Sequence, residues 1–357
     1  MNNRERFLKT MRWEPVDHPP LVIGGPWGAT RERWEKEGLP RGVDLYEYFG
    51  LEPFRLSLVG INTVLEPPFE EKILEENEEF VVKINAHGVT EKNFKDGSSM
   101  PEFIDYPIKD PSAISWLKEK FDPATPGRVD DDWLAKANRK RQQGHIIGSN
   151  GGMYFGFLNE HVGTEKLLYM YYDSPEFIHQ VNELQCALCE MALELVGPSF
   201  ALDFLGYHED MAYKNGSIIS PAMFKEFMTP YYRRIQKLSA QYKVDIQYMD
   251  SDGDINQLIP LWIDCGIKLM SPLEVAAGMD VVALRKTYGK DLCMIGGFDK
   301  RILAAGKAQI TAELERMRHV IEEGGFIPVC DHGIPPDVSF ENISCFVDCL
   351  KTFYGVN

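Results

Sequence analysis

What this chain lacks narrows its function first. No stretch approaches the roughly 18–20 uninterrupted apolar residues that a membrane helix needs, so no membrane span is expected. The opening MNNRERFLKTMRWEP has no apolar core of the roughly 7–15 residues found in a secretory signal. Basic runs are absent. With 38 Lys and Arg against 54 Asp and Glu, the formal net charge is −16, so neither nucleic acid nor an anionic membrane is an expected partner. Cysteines number seven, an odd count scattered in apolar contexts; this suits buried thiols in a reducing compartment, with cytoplasm as the default. No G-x-G-x-x-G follows a strand-like run, no G-x-x-x-x-G-K-[ST] occurs, and no G-x-S-x-G elbow is present. Dinucleotide, P-loop nucleotide and serine-hydrolase chemistry thereby lose their usual signals.

What is present is a core and a rhythm. The 357 residues are 44% hydrophobic, enough for one large α/β barrel or two ordinary domains. Pro19–Gly24 is a candidate first strand. Residues 53–79 read as an irregular acidic excursion. Phe80–Asn85 and Val89–Phe94 predict a hairpin around Ala86-His87-Gly88, and 110–141 predicts polar helix broken by DPATPG. From residue 145 short apolar runs alternate with amphipathic stretches. Strands are expected at 145–150, 200–205, 244–249, 268–271, 292–295 and 326–329. Helices are expected at 157–172, 175–196, 221–242 (capped by Ser220), 254–265 and 339–354. Repeated βα units imply a parallel sheet, and their number favours a closed (β/α)8 TIM barrel in one domain, 1–357, with a helical and hairpin elaboration over about 53–141. A doubly wound open sheet is the runner-up.

In such a barrel the chemistry sits at the C-terminal ends of the strands. Nearly every predicted end carries Gly, an acid, a His or an amide: GGPW (24–27), SNGGMY (149–154), YHED (207–210), DSDG (250–253), PLE (272–274), GGFD (296–299) and CDHG (330–333). Any one of these is an ordinary polar loop; together they predict an active-site mouth. The stretch YMDSDGDIN (248–256) sets Asp250, Asp252 and Asp254 within five residues. An EF-hand is excluded, because Ile255 stands where its glycine belongs and Leu261 where its glutamate belongs. Asp254 is expected to cap the next helix. Side-chain alternation would put Asp250 and Asp252 on one side, facing the mouth. Cys186-x-x-Cys189 and the Cys345/Cys349 pair have metal-like spacing but lie on amphipathic helices, where core packing is the simpler account.

Several segments together resemble the uroporphyrinogen decarboxylase superfamily: RERFLKTMRWEPVDHPPLVI, SIISPAMFKEFMTPYYRRI (217–235), DSDGDINQLIPLWIDCGI (250–267), CMIGGFD (293–299) and GGFIPVCDHGIPPDVSFENI (324–343). The resemblance is nearly end to end and weakest between about 25 and 140. It implies a TIM barrel. It also implies one of two chemistries: cofactor-free decarboxylation, or methyl transfer linked to a corrinoid (cobalamin) protein. Decarboxylases of the family open with an arginine-rich clamp resembling R-Q-A-G-R. Here GGPWGATRERW follows the first strand, so the methyltransferase branch, of the O-demethylase type, is the favoured expectation.

The thiol-methylating relatives bind zinc through His-x-Cys, a later Glu, and a Cys before Gly-Ile-Pro-Pro. The matching positions here are Asp250, Asp252, Glu274 and His332. Without thiolates this set is too hard for a thiol-activating zinc. The resemblance therefore leaves open a Zn2+ site on harder ligands or a metal-free acid cluster. In the latter, Asp252, His332, Asp250 and Tyr248 would be the catalytic groups. Trp27, Met153, Tyr154, Phe155 and Met249 are the implied apolar wall for a small methylated substrate; Asn150, His208 and Asp210 are its polar contacts. A corrinoid protein is the implied partner, and a homodimer fits the resemblance.

Overall fold

A computed structural model describes residues 1–95 and 100–356; within the expected elaboration, residues 96–99 fall outside the described residues. In chain order the strands are β1 (Leu56–Leu58), β2 (Lys72–Glu76), β3 (Phe80–Ile84), β4 (Thr90–Phe94), β5 (Glu102–Asp105), β6 (Ile146–Gly152), β7 (Phe204–His208), β8 (Ala212–Tyr213), β9 (Gly216–Ser217), β10 (Gln247–Asp250), β11 (Leu269–Ser271), β12 (Cys293–Phe298) and β13 (Phe326–Cys330). Seven form one sheet in the order β1-β6-β7-β10-β11-β12-β13, every pairing parallel. The fold is α/β, as its βα rhythm predicts.

The period-2 alternation of each strand sorts its side chains between two cores. Ile147, Leu205, Met249, Met270, Met294 and Phe326 point outward and pack with the helices. Ile146, Phe204, Ile246, Leu269, Ile295, Ile327 and Val329 point inward and share one cluster. Strands from both edges of a flat sheet would not share an inner cluster, so the sheet is curled. Phe7 and Met11 of the helix Asn3–Met11 fill that cluster from below, and the helix is started by a capping box between Asn2 and Glu5.

The expected first strand, Pro19–Gly24, forms no ladder. Pro19 and Pro20 have no N–H to offer, and the amide of Ile23 goes to the Tyr46 hydroxyl at 3.4 Å. Val22 nonetheless packs in the inner cluster. The segment touches the far edge of the sheet through the bridge Pro26–Ile334 and the bond from the Trp27 amide to Ile334 O, 3.1 Å. The seventh strand is instead β1, hidden in the stretch expected to be irregular. Three residues long, it is recognisable only through its pairing with β6.

The predicted hairpin is β3–β4, extended by β2 and β5 into a four-stranded antiparallel sheet. Of the helices, Pro175–Val196 has the predicted bounds, and Ser220 accepts from the Met223 amide at 3.2 Å as a cap should. Two expected helices are split. Gly163, at φ 84°, divides Gly156–Val162 from Thr164–Asp173, and Met228 separates Pro221–Phe227 from Thr229–Gln241. Asp254 is not a helix cap. Its carboxylate closes a local turn on the Asn256 amide (3.1 Å), and the helix begins only at Ile259.

Candidate active site

The ladder between β7 and β10 sets His208 directly beside Asp250. The imidazole lies between two carboxylates, with Nδ1 3.6 Å from Asp250 Oδ2 and Nε2 3.3 Å from Asp210 Oδ2. The hydrogen bond to Asp210, then that to Asp250, outweigh burial and raise the His208 pKa well above the ordinary imidazole value. Burial pushes the Asp210 carboxyl up, but His208 and the Asp252 amide (3.2 Å) hold it below its usual range. Asp210 itself sits at φ 44°, a left-handed conformation that Asp tolerates better than most residues.

Two residues past the end of β10, Asp252 faces the same cleft as Asp250, as alternation predicts. Its Oδ2 lies 3.2 Å from Nε2 of His332, and this hydrogen bond raises the His332 pKa against the opposing effect of burial. Gly253 between the aspartates is required. At φ 84° its backbone is strained for any L side chain, and a Cβ would come within 2.6 Å of the Ala212 carbonyl oxygen. Its amide donates to Oε2 of Glu274 at 3.1 Å. The other oxygen of Glu274 accepts from Lys300 Nζ at 3.2 Å, and Lys300 in turn lies 3.9 Å from Asp331. Asp331 is fully buried; it accepts from the Val275 and Lys300 amides at 2.9 and 3.1 Å, and burial raises its pKa.

Two clefts meet at His208 and Asp250. One, of about 390 Å³, is mainly apolar, lined by Leu56, Leu58, Val64, Met153, Phe204 and Tyr248, with Asn150 at its side. The other, of about 510 Å³, sets the polar groups of Asp252, Ser271 and His332 beside Gly24, Gly25 and Gly333, against an apolar wall that includes Val22, Ile23, Phe54 and Val329. Among the described residues, no Lys or Arg lines either cleft. Both arginines of the GGPWGATRERW stretch are engaged elsewhere, Arg31 with Glu35 and the Val43 carbonyl, Arg33 with Glu37 and the Pro336 carbonyl. A larger hollow of about 750 Å³ lies away from the strand ends, between the helices Lys307–Glu323 and Phe340–Tyr354, and contains Cys345 and Cys349. That pair is therefore half-buried beside a groove, whereas Cys186 and Cys189 are core residues as expected.

Three residues expected in the substrate wall are elsewhere. Tyr154 is wholly buried, donates to the Gly151 carbonyl at 3.0 Å and stacks on Tyr231. Phe155 is equally buried. Met249 points outward into the helix layer, because its alternation is opposite to that of Tyr248 and Asp250. Tyr248 faces inward, and burial raises its pKa, so its hydroxyl stays protonated. Trp27 is half-exposed and lies over Gly333, where a Cβ would meet its Nε1 at 2.5 Å. Asn150 donates to Thr63 Oγ1 and accepts from the Gly152 amide, at 2.9 and 3.0 Å.

Sequence reasoning missed Glu209, Lys300 and Asp331. Glu209 is fully buried and accepts the amides of Tyr154, Phe155 and Gly156 at 2.9, 2.7 and 2.8 Å, together with the Tyr232 hydroxyl. It holds the start of the helix Gly156–Val162 against the loop that carries His208 and Asp210. All three residues stand at the polar ends of β7, β12 and β13, and that placement is the signal the sequence carries for them.

Residues 136–353 match the model of the family described as uroporphyrinogen decarboxylase (URO-D). The chain belongs to the URO-D family. A uroporphyrinogen decarboxylase of Chlorobaculum tepidum is 23% identical over 216 residues, covering 58% of this chain and 59% of the relative, so the chain spans under two thirds of that protein. One from Danio rerio is 23% identical over 369 residues, 97% of this chain and 92% of the relative. A solved structure, a methyltransferase from Methanosarcina mazei, shares the fold with a TM-score of 0.59 at 16% identity, over 99% of each chain.

The zinc ligands implied for this URO-D chain do not converge. Asp250 is engaged with His208, Asp252 with His332, and Glu274 with Lys300 and the Gly253 amide. Among the described residues, no group of three or more His, Cys, Asp or Glu side chains is placed to hold a metal ion. A metal would have to displace these partners, and the cationic Lys300 would repel it. The donor set as arranged does not fit zinc.

Proposed function

We propose that this URO-D protein is a methyltransferase that moves a methyl group from a small methylated substrate, a methyl ether, to the cobalt of a corrinoid carried by a separate protein. The observation that carries this reading is the mouth itself: two carboxylate-paired imidazoles lining two adjoining, mainly apolar clefts, with no Lys or Arg among the described residues of either lining. Cleaving the methyl–oxygen bond leaves an alkoxide or phenolate, which needs a proton in the transition state. His332, held as an imidazolium by Asp252, supplies that proton to the leaving oxygen. His208 with Asp210 and Asp250 orients the substrate, and Leu56, Leu58 and Met153 hold its apolar body with the methyl group exposed to the acceptor. The shared fold with a protein named as a methyltransferase supports the reading. In this reading residues 19–25 occupy the eighth position of a barrel formed by one domain, 1–357, acting in the cytoplasm as a homodimer.

The relatives named as decarboxylases favour a second reading, a lyase acting on an acidic substrate. Against it, a multiply carboxylated substrate would meet carboxylates at the mouth and no guanidinium. A non-catalytic binding barrel is the third. One assay separates them. The protein is incubated with cob(I)alamin and a panel of methyl ethers and methylamines, and methylcobalamin absorbance is followed. Methylation from an ether supports the proposal. Release of CO2 from an acidic compound without methylcobalamin would replace it with the lyase, and ligand binding without any product would replace it with the binding barrel.

A further inference from the structure

Lys300 is a cation that the resemblance does not imply and the proposed methyl transfer does not use. It follows Asp299 at the end of β12, with its side chain largely shielded, and it reaches Glu274 at 3.2 Å and Asp331 at 3.9 Å. Its position is held by the backbone as well. The Lys300 amide donates to Asp331, whose other oxygen takes the Val275 amide, next in sequence to Glu274. One buried carboxylate thus anchors both partners of the ion pair. Behind the cleft lining this ion pair adjoins the turn at Gly253, and at the neighbouring strand ends His332 is matched to Asp252, and His208 to Asp210 and Asp250.

We propose that Lys300 is a resident cation that takes the place of a metal in this site, pairing with Glu274 so that the acid cluster works without zinc. Glu274 is then a positioning residue. Neutralised by Lys300 on one oxygen and bonded to the Gly253 amide on the other, it fixes the turn that carries Asp252, and so the geometry of Asp252 with His332. A fixed ammonium also repels a divalent ion from the remaining carboxylates, since like charges a few ångströms apart oppose each other strongly where water is partly excluded.

The test reads zinc affinity rather than turnover. Its outcome therefore stands even if the methyl-transfer reading above fails. The whole protein, freed of metal by dialysis against chelator, is titrated with Zn2+ alone by calorimetry, alongside Lys300→Met and Lys300→Arg, with a thermal melt to verify that each is folded. The wild type and Lys300→Arg are expected to show no saturable site. Lys300→Met is expected to take up one zinc with affinity raised at least roughly tenfold. Stoichiometric tight zinc in the wild type would overturn the proposal, as would a folded Lys300→Met that binds no better than wild type. If Lys300→Met does not fold, Lys300→Gln decides: it keeps an N–H donor for Glu274 but no charge, so it is expected to take up one zinc, and a folded Lys300→Gln that binds no better than wild type would overturn the inference.

Discussion

The two ends of the curled sheet use the same pairing of carboxylate and cation for different ends. Below the strands, Asp203 takes a forked pair of bonds from Arg4 at 2.9 and 2.6 Å, accepts the Ile147 amide at 2.8 Å, and lies 3.5 Å from Arg141. Arg12 forms a second fork on Asp245, at 2.7 and 2.8 Å. Arginine is a permanent charge whose planar fork fixes geometry, so these pairs clamp the helix Asn3–Met11 under the curled sheet. At the mouth Asp210, Asp250 and Asp252 are paired instead with the imidazoles of His208 and His332, which can release a proton. The difference shows how one sheet can be rigid at one end and reactive at the other. Permanent charge goes where nothing has to change, and titratable charge goes where a proton must move.

Breaking the mouth should have the largest effect. His332→Ala and Asp252→Ala are each expected to lower methyl transfer by about 10²–10⁴-fold, the usual range for losing a positioned acid, with an unchanged far-ultraviolet spectrum and melt. Wild-type-like turnover in either would remove these residues from the chemistry. Breaking the base should do the reverse. Asp203→Ala is expected to cost about 2–3 kcal/mol of stability, because it strands the Ile147 amide and two partly exposed arginines. Its activity per folded molecule should hold; a variant as stable as wild type would show that the clamp is ornamental.

The smallest effect sharpens the comparison through pH. The His332 pKa is raised above its ordinary 6.5, so its imidazolium is present below that raised value and is lost as pH rises through it. Methyl transfer should therefore fall on the alkaline side. Asp252→Asn keeps a hydrogen-bond acceptor but removes the charge, so its residual activity should decline at lower pH, displaced toward the ordinary imidazole value. An alkaline limb that stays where it was would assign the titration to another group.

Much of this was legible beforehand. The strand ends carrying SNGG, YHED, DSDG and CDHG were located by alternation alone, and all of them lie at the mouth. The errors have local causes. β1 is too short to carry a period, Pro19 and Pro20 disqualify an apolar run from pairing, and Tyr154 looked like a wall residue only because its loop is glycine-rich. The ligand set implied by the resemblance does not converge for another reason: its members pair with residues far away in the chain, which matched positions do not reveal.

By itself the sequence determined the α/β class, the order of most strands and helices, and the family, because alternation, caps and breakers act within a few residues. Only the tertiary structure decided which charge meets which. His208 meets Asp250 because two strands share a register, Lys300 reaches Glu274 because they follow the neighbouring strands β12 and β11, and His332 reaches Asp252 because the curl of the sheet brings β13 around to β10. A charge acts through space, and distance along the chain says nothing about it until the sheet has curled.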